Sequence, residues 1–319
     1  MPSAGRFVVR AERSTAAVMG IGGDLPVASA DGKRVAFWRT GPQGNNSQEL
    51  RIVDVPGGGE RMLTTIAPGF SGGPIVWSND GTGLLYEYHR SEIVGVSGRI
   101  VSSRLESFDL LATQAAGATE SQLELTNGFL FLALVWDKAG ALATALVTGD
   151  GGFAVDYVTW DRRVQPAGQS AVKFTRFPWP VGAFTVQASY DAQLMLAIDY
   201  AANVLRIWVT RDIATAGEVG PGTARISGAR WRPGTPRDVA WVIDRNVGTF
   251  TYQTGSSGTI HRGQGDVRIL AWRFDGSGLV LSEQGRGDFV VEMSTGQARA
   301  LSGLGDVVGG SVLSSVLLR

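Results

Sequence analysis

The 319-residue chain is predicted to be all-β, a six-bladed β-propeller of four-stranded antiparallel blades. Three observations predict it. A Trp-x-x-Asp-Gly motif recurs along the chain, a strongly apolar run follows each copy, and no helix-period amphipathic stretch of useful length intervenes. The motif stands at Trp77-Ser78-Asn79-Asp80-Gly81 and at Trp272-Arg273-Phe274-Asp275-Gly276. Looser copies are Trp136-Asp137-Lys138-Ala139-Gly140 and Trp231-Arg232-Pro233-Gly234. Two more, Ala28-Ser29-Ala30-Asp31-Gly32 and Ala188-Ser189-Tyr190-Asp191-Ala192, keep the turn without the tryptophan. The six turns are spaced by 49, 59, 52, 43 and 41 residues.

Each element of the repeat has a physical reason. A short strand ends at the tryptophan position. Asp and Gly suit the turn that follows, because Asp bonds its own backbone and Gly accepts positive φ. The next strand is nearly all apolar, as in Arg34–Trp38, Leu84–Tyr88, Leu142–Val147, Leu194–Ile198, Val239–Ile243 and Leu279–Ser282. Such runs fit strands covered on both faces. A third strand alternates, as in Glu49–Val55, Val204–Val209 and Asp288–Glu292, and a polar fourth strand closes the unit at Glu60–Thr64 and Ala298–Leu301. A polar, short outer edge blunts unwanted pairing.

These counts predict one domain over residues 1–319 with blades near 24–65, 73–126, 130–176, 183–225, 226–265 and 266–302. The terminal segments 6–12 and 307–318 are left to close the ring, either as a latch or, alternatively, as a seventh blade built from both termini. The tryptophans Trp77, Trp136, Trp231 and Trp272 share one blade position and are assigned to packing between blades.

The pattern Ser29-Ala30-Asp31-Gly32-Lys33-Arg34-Val35-Ala36-Phe37, followed by Leu50-Arg51-Ile52-Val53-Asp54 and Arg61-Met62-Leu63-Thr64, resembles the TolB-type propeller repeat. The same repeat occurs in the propellers of prolyl oligopeptidase and dipeptidyl peptidase relatives. The resemblance covers roughly residues 24 to 302, closest in the first copy. It implies a propeller. It carries little about function, because this repeat serves as a general scaffold. Neither the α/β domain of TolB nor the hydrolase domain of the peptidases is expected within residues 1–319.

Composition narrows the function classes. The 29 basic and 29 acidic residues cancel, so nothing marks a basic face for nucleic acid. Lysine occurs only at Lys33, Lys138 and Lys173, and arginine dominates the basic set. There is no cysteine, which removes disulfides, thiolate chemistry and cysteine-based zinc sites. No apolar run reaches the roughly 18 residues of a spanning helix, so no membrane insertion is expected. The first residues hold no apolar core of a signal peptide. This predicts a cytoplasmic protein, or a periplasmic or extracellular one if the N-terminus is processed. No cofactor and no metal site is expected, since His89 and His261 are isolated in sequence.

Three strings invite a functional reading. Gly69-Phe70-Ser71-Gly72-Gly73 fits G-x-S-x-G, but no helix pattern follows it and no histidine precedes Ser71, so it reads as a glycine-rich connection between blades. Arg286-Gly287-Asp288 reads as a hairpin turn of the sixth repeat. The insertion Lys173-Phe174-Thr175-Arg176-Phe177-Pro178-Trp179-Pro180 clusters aromatics and arginine, the composition of an interface hot spot.

The expected function is therefore non-catalytic binding or scaffolding, with a protein partner engaged through loops on one face. No catalytic residue is assigned. The binding residues predicted are Arg39, His89, Arg90, Phe174, Arg176, Phe177 and Trp179, on the loops 39–48, 89–99 and 148–152 and on the insertion. The alternatives are an enzyme, hydrolase or lyase, with its site in the central channel, and a structural subunit of a larger assembly.

Overall fold

The computed structural model describes residues 6–301 apart from the connections 11–16, 42–46, 56–58, 95–96, 111–118, 127–128, 137–139, 150–151, 162–170, 177–183, 200–202, 210–211 and 220–223 and the single positions 30, 79, 190, 192, 236 and 274; its side-chain description excludes also 6–22, 93–101, 109, 111–186 and 211–223. Every described element is a β-strand. The chain divides into two compact units, residues 1–9 with 18–181 and residues 10–17 with 182–319.

Strands β1 (Arg6–Arg10) and β2 (Ala17–Gly22) pair with each other alone. In the first unit a four-stranded sheet follows from β3 (Asp24–Ala28), β4 (Arg34–Thr40), β5 (Gln48–Asp54) and β6 (Glu60–Ile66). The next joins β7 (Phe70–Trp77), β8 (Gly83–Val94), β9 (Ser97–Asp109) and β10 (Thr119–Thr126). Backbone pairing then links β11 (Phe129–Trp136), β12 (Gly140–Gly149), β13 (Gly152–Asp161) and β14 (Ala171–Arg176).

The second unit holds three meanders of the same kind. They are β15 (Phe184–Ala188) to β16 (Leu194–Asp199), β17 (Val204–Val209) and β18 (Asp212–Val219); then β19 (Ile226–Trp231), β20 (Asp238–Ile243), β21 (Asn246–Thr251) and β22 (Ser257–Arg262); then β23 (Val267–Trp272), β24 (Gly278–Glu283), β25 (Gly287–Glu292) and β26 (Ala298–Ala300).

The architecture is an all-β β-propeller, and the predicted six-bladed count is corrected. Blades whose side-chain packing is described number five, of three or four strands each: β3–β6, β7–β9, β15–β17, β19–β22 and β23–β26. The count from sequence rested on turns. A turn between apolar runs reports a hairpin, whereas a blade is defined by the side chains it stacks on its neighbour. Most of the terminal segments expected to close the ring lies outside the described residues. Among the described residues strand β1 pairs with β2 and with no four-stranded sheet, and residues 302–319 lie outside the described set.

The repeat turn is a closed network. In the first blade Ser29 Oγ donates to Asp31 Oδ1 at 2.6 Å and accepts from the Arg34 N–H at 3.0 Å, while the Lys33 N–H donates to Asp31 Oδ1 at 3.0 Å. Ser78 and Asp80 repeat it at 2.6 Å, with Gly83 N–H to Ser78 Oγ at 2.9 Å. Ser189 and Asp191 repeat it at 2.7 Å, with Leu194 N–H to Ser189 Oγ at 2.9 Å. Gly32 and Gly81 both sit at φ 68°, the left-handed region that this turn requires. The last blade replaces the serine with Arg273, which grips Glu292 Oε1 at 2.6 Å instead.

Tryptophan then ties blade to blade. Trp77 Nε1 donates to the Val27 carbonyl at 2.9 Å, Trp231 Nε1 to that of Gln187 at 3.4 Å and Trp272 Nε1 to that of Arg230 at 3.4 Å. In each case the last residue of one inner strand reaches the inner strand of the blade before it. Guanidinium groups cap two of these rings, Arg34 at 5.4 Å from Trp77 and Arg232 at 5.7 Å from Trp272. The interblade role predicted for Trp77, Trp231 and Trp272 follows from these contacts. The side chain of Trp136 lies outside the described residues.

Replacing Trp77 by Phe keeps an aromatic ring and orphans the Val27 carbonyl. The expected loss is about 1–3 kcal/mol in urea unfolding, larger than for Trp272→Phe, whose bond is longer. Equal losses would show that the bond adds nothing to ring burial.

Candidate functional site

The departure from the repeat lies in the second blade. Strands β8 and β9 run for 12 and 13 residues, against 5 to 7 for β3 to β6. Pairing with β7 ends at Phe70 opposite Arg90, and pairing of β9 with β10 ends at Ser102 opposite Thr126. Beyond that line only β8 and β9 remain paired, from Ser91 opposite Ile100 to Val94 opposite Ser97. Residues 91–94 and 97–100 thus form a two-stranded ribbon that outruns its blade. The stretch 89–99, expected to be a loop, is a hairpin whose described residues are strand on both sides of 95–96. A β-bulge at Arg90/Ser91 marks where the ribbon leaves the sheet.

Register sorts the side chains of this blade onto two faces. On one, Glu87 and His89 stand two residues apart on β8, with Ser103 directly across from His89. His89 Nδ1 lies 3.1 Å from Glu87 Oε1, and Ser103 Oγ donates to the same oxygen at 2.8 Å. Glu87 has no solvent exposure. Burial pushes its carboxyl above the usual range, against the pull of the His89 and Ser103 hydrogen bonds. His89 is held above the ordinary imidazole value by its bond to Glu87, which outweighs the burial that opposes it.

Glycine makes room for this pair. A Cβ on Gly73 would lie 1.7 Å from Glu87 Oε2, and one on Gly72 would lie 2.3 Å from the Trp38 ring. Trp38 Nε1 also donates to the Gly73 carbonyl at 2.8 Å. Phe70 to Gly73 is therefore the first half of inner strand β7, rather than a connection between blades. Its glycines admit an indole from one side and a carboxylate from the other.

The opposite face is a ladder of rings and charges. Buried Glu106 accepts from the Tyr86 hydroxyl at 2.8 Å and from the Tyr88 hydroxyl. Burial and then the Glu106 hydrogen bond push the Tyr88 phenol up to about 12. Tyr88 meets Phe70 edge-on at 5.4 Å. The Arg104 guanidinium lies 5.4 Å from Phe70 and 5.9 Å from Tyr88, and Arg90 lies 6.0 Å from the same Phe70.

Of the residues singled out in the sequence, His89 and Arg90 fall on adjacent positions of β8 and so on opposite faces of the blade. Arg39, near the end of β4, binds Glu60 and lies 5.4 Å over Phe37. Phe174 and Arg176 are placed on β14 by backbone alone, opposite Val158 and Asp156. Phe177 and Trp179 lie outside the described residues. Ser71 stands across from His89, yet no hydrogen bond between them is found among the described contacts, so the G-x-S-x-G string assembles no nucleophile relay. Phe70, Glu87, Arg104 and Glu106 were missed. The period-2 spacing of Glu87 with His89 was visible in sequence, whereas Arg104 and Glu106 enter only through the β8–β9 register.

The second histidine, isolated in sequence, is also paired in the fold. His261 Nε2 lies 3.0 Å from Glu283 Oε2 and joins β22 to β24. Burial raises the Glu283 carboxyl, but the Gln264 and Gly265 N–H groups and His261 outweigh it and hold it below the usual range. Arg286 lies 3.9 Å over Phe289, and Gly285 and Gly287 take φ of 85° and 86°, which accounts for the Arg-Gly-Asp string as a turn. No three His, Asp or Glu side chains converge as metal ligands among the described residues.

Solved structures similar to this chain are propeller proteins of divergent roles. The acylaminoacyl peptidase of Pyrococcus horikoshii matches with a TM-score of 0.60 at 14% identity, over 89% of this chain and 46% of that one. The Cps50 (Swd1) β-propeller domain of Myceliophteria thermophila matches with a TM-score of 0.56 at 14% identity, over 92% and 88%. An oligogalacturonate lyase from Vibrio parahaemolyticus matches with a TM-score of 0.56 at 10% identity, over 88% and 81%. The chain thus spans under half of the peptidase. No family model and no curated protein matches it. At these identities the likeness is one of fold, and the TolB-type resemblance gains no family assignment.

Gly73→Ala is expected to destabilise the protein by about 1–3 kcal/mol through overpacking. In the double variant with Glu87→Ala the two losses should fall short of additivity, because the clash is with that carboxylate. Additive urea-unfolding losses would place the clash elsewhere.

The pH dependence has a definite sign. A raised folded pKa at His89 contributes stability that is full below about 6.5 and lost as pH rises through the folded value. Glu87, also raised, works in the same direction from about 4.5 upward. Thermal midpoints should therefore fall as pH rises above about 6.5, and His89→Gln should flatten that fall. A slope unchanged in the variant would remove His89 as its origin.

Proposed function

We propose that this chain is a non-catalytic binding propeller that engages a protein partner at the β8–β9 end of its second blade. The observation that carries the reading is the ribbon of residues 91–94 and 97–100, which outruns both neighbouring strands. Among the described residues no further strand pairs with this ribbon. Extended segments of other proteins add to such strand edges. Exposed Arg90 and Glu92 stand at its base. The rest of the blade is a rigid support, since the Glu87 and Glu106 networks lock both faces of β8 and β9. The TolB-type resemblance of the repeat is consistent with a scaffold. Propellers in general serve binding and catalysis alike, so the site and not the fold supports this choice.

Site-specific photocrosslinking in the native host tests it. A photoreactive residue in place of Glu92 is expected to trap a discrete protein adduct, and one in place of Thr254, exposed in the β21–β22 turn, is expected to trap none. Equal capture at both positions, or none at Glu92, would overturn the assignment.

A further inference from the structure

Resting on that binding reading, we infer that the rim formed by Phe70, Arg90 and Arg104 receives an acidic segment of the partner, with a carboxylate on Arg90 and an apolar side chain against Phe70. Three features of the rim lead there.

First, Arg90 is the outward cation of the ladder. Its side chain is 47% exposed, and its ion-pair contact is Glu92 at 3.9 Å, itself 60% exposed. Among the described contacts Arg90 makes no hydrogen bond. Exposed pairs at such distance are worth little, so the guanidinium fork is open to a better-placed carboxylate.

Second, the ring beside it is already polarised. Phe70 carries Arg90 at 6.0 Å and Arg104 at 5.4 Å. Two cations near one ring repel each other, and an incoming anion relieves that repulsion. Arg104 is anchored from below, across from Tyr88, whose hydroxyl is bound to buried Glu106. Phe70 and Arg90 are direct cross-strand neighbours, so an extended segment with a carboxylate on Arg90 brings the side chain two residues along toward Phe70.

Third, the rim lies where the ribbon leaves the blade. A strand added along the ribbon edge would run onto it, and alternate side chains of that strand would face Phe70 and Arg90. Backbone pairing supplies affinity there, and the rim supplies the choice of sequence. The chain's formal net charge of zero argues for a local carboxylate contact over long-range attraction of polyphosphate.

The test uses the full chain and two fluorescein-labelled peptides, Asp-Glu-Phe-Asp-Glu and its neutral isostere Asn-Gln-Phe-Asn-Gln, with anisotropy as the readout. The acidic peptide is expected to bind at least roughly tenfold more tightly than the neutral one. Arg90→Glu should weaken it by roughly tenfold or more, and Arg90→Lys should recover only part of that, because an ammonium lacks the planar fork. Phe70→Leu keeps the apolar character and loses the ring face, so an intermediate loss is expected, with circular dichroism confirming an unchanged fold. Equal binding of the two peptides, indifference to Arg90→Glu, or tighter binding of an oligothymidylate that displaces the peptide would overturn the inference. If the Glu92 crosslinker still traps a protein in that event, the binding reading stands and only the acidic partner falls. If neither is seen, both fall.

Discussion

The structure depends on one contact, the indole N–H at the end of an inner strand donated to a carbonyl of the preceding blade's inner strand. Trp77, Trp231 and Trp272 each make it. A sheet twists, so two stacked sheets touch well at one end and splay at the other. A large flat ring with a polar edge fills that gap and satisfies a backbone acceptor that strand pairing leaves over. The Ser-x-Asp-Gly turn beyond it sets where the next strand begins, and its glycine takes the positive φ the turn requires. Turn and tryptophan act as one device at Trp77, where both are present, while the turns at Ser29 and Ser189 close without the indole.

That device also explains where the sequence was readable. Packing recurs with the repeat, so a residue needed for packing recurs too, and the role of Trp77 and its equivalents was visible from spacing alone. The central strands were visible for the same reason, Val35–Trp38 and Leu84–Tyr86 being buried on both faces. The blade count was not, because a degenerate turn still makes a hairpin and spacing carries no record of what stacks on what. Nor was the inner strand at Phe70 to Gly73, since glycine is a poor strand former and its use here comes from neighbours distant in sequence, Trp38 and Glu87.

The site was legible only in part, and for a related reason. His89 and Arg90 were picked as a pair, yet alternation sends them to opposite faces, one into a buried carboxylate and the other to an exposed rim. The residues opposite them, Ser103 and Ser102, lie across a hairpin whose register shifts at Arg90/Ser91. Spacing along one strand says which residues share a face. It does not say which residues of the next strand face them once a bulge intervenes.

Blade 2 differs from its neighbours in what it buries. Among the described residues the other blades bury at most one carboxylate each, Glu49 in the first and Glu283 in the last. Here Glu87 and Glu106 are sealed between strands, each held by two partners on its own blade. A buried carboxylate costs several kcal/mol unless its partners are well placed, so its tolerance of misregister is low. That intolerance fixes β8 against β9 below the ribbon, and the ribbon inherits the alignment. A two-stranded extension alone is marginal in water. Rooted in a blade whose register is set by buried charge, it presents Arg90 and Phe70 at defined positions, and it is this rooting, more than the ribbon's own pairing, that makes the rim fit for recognition.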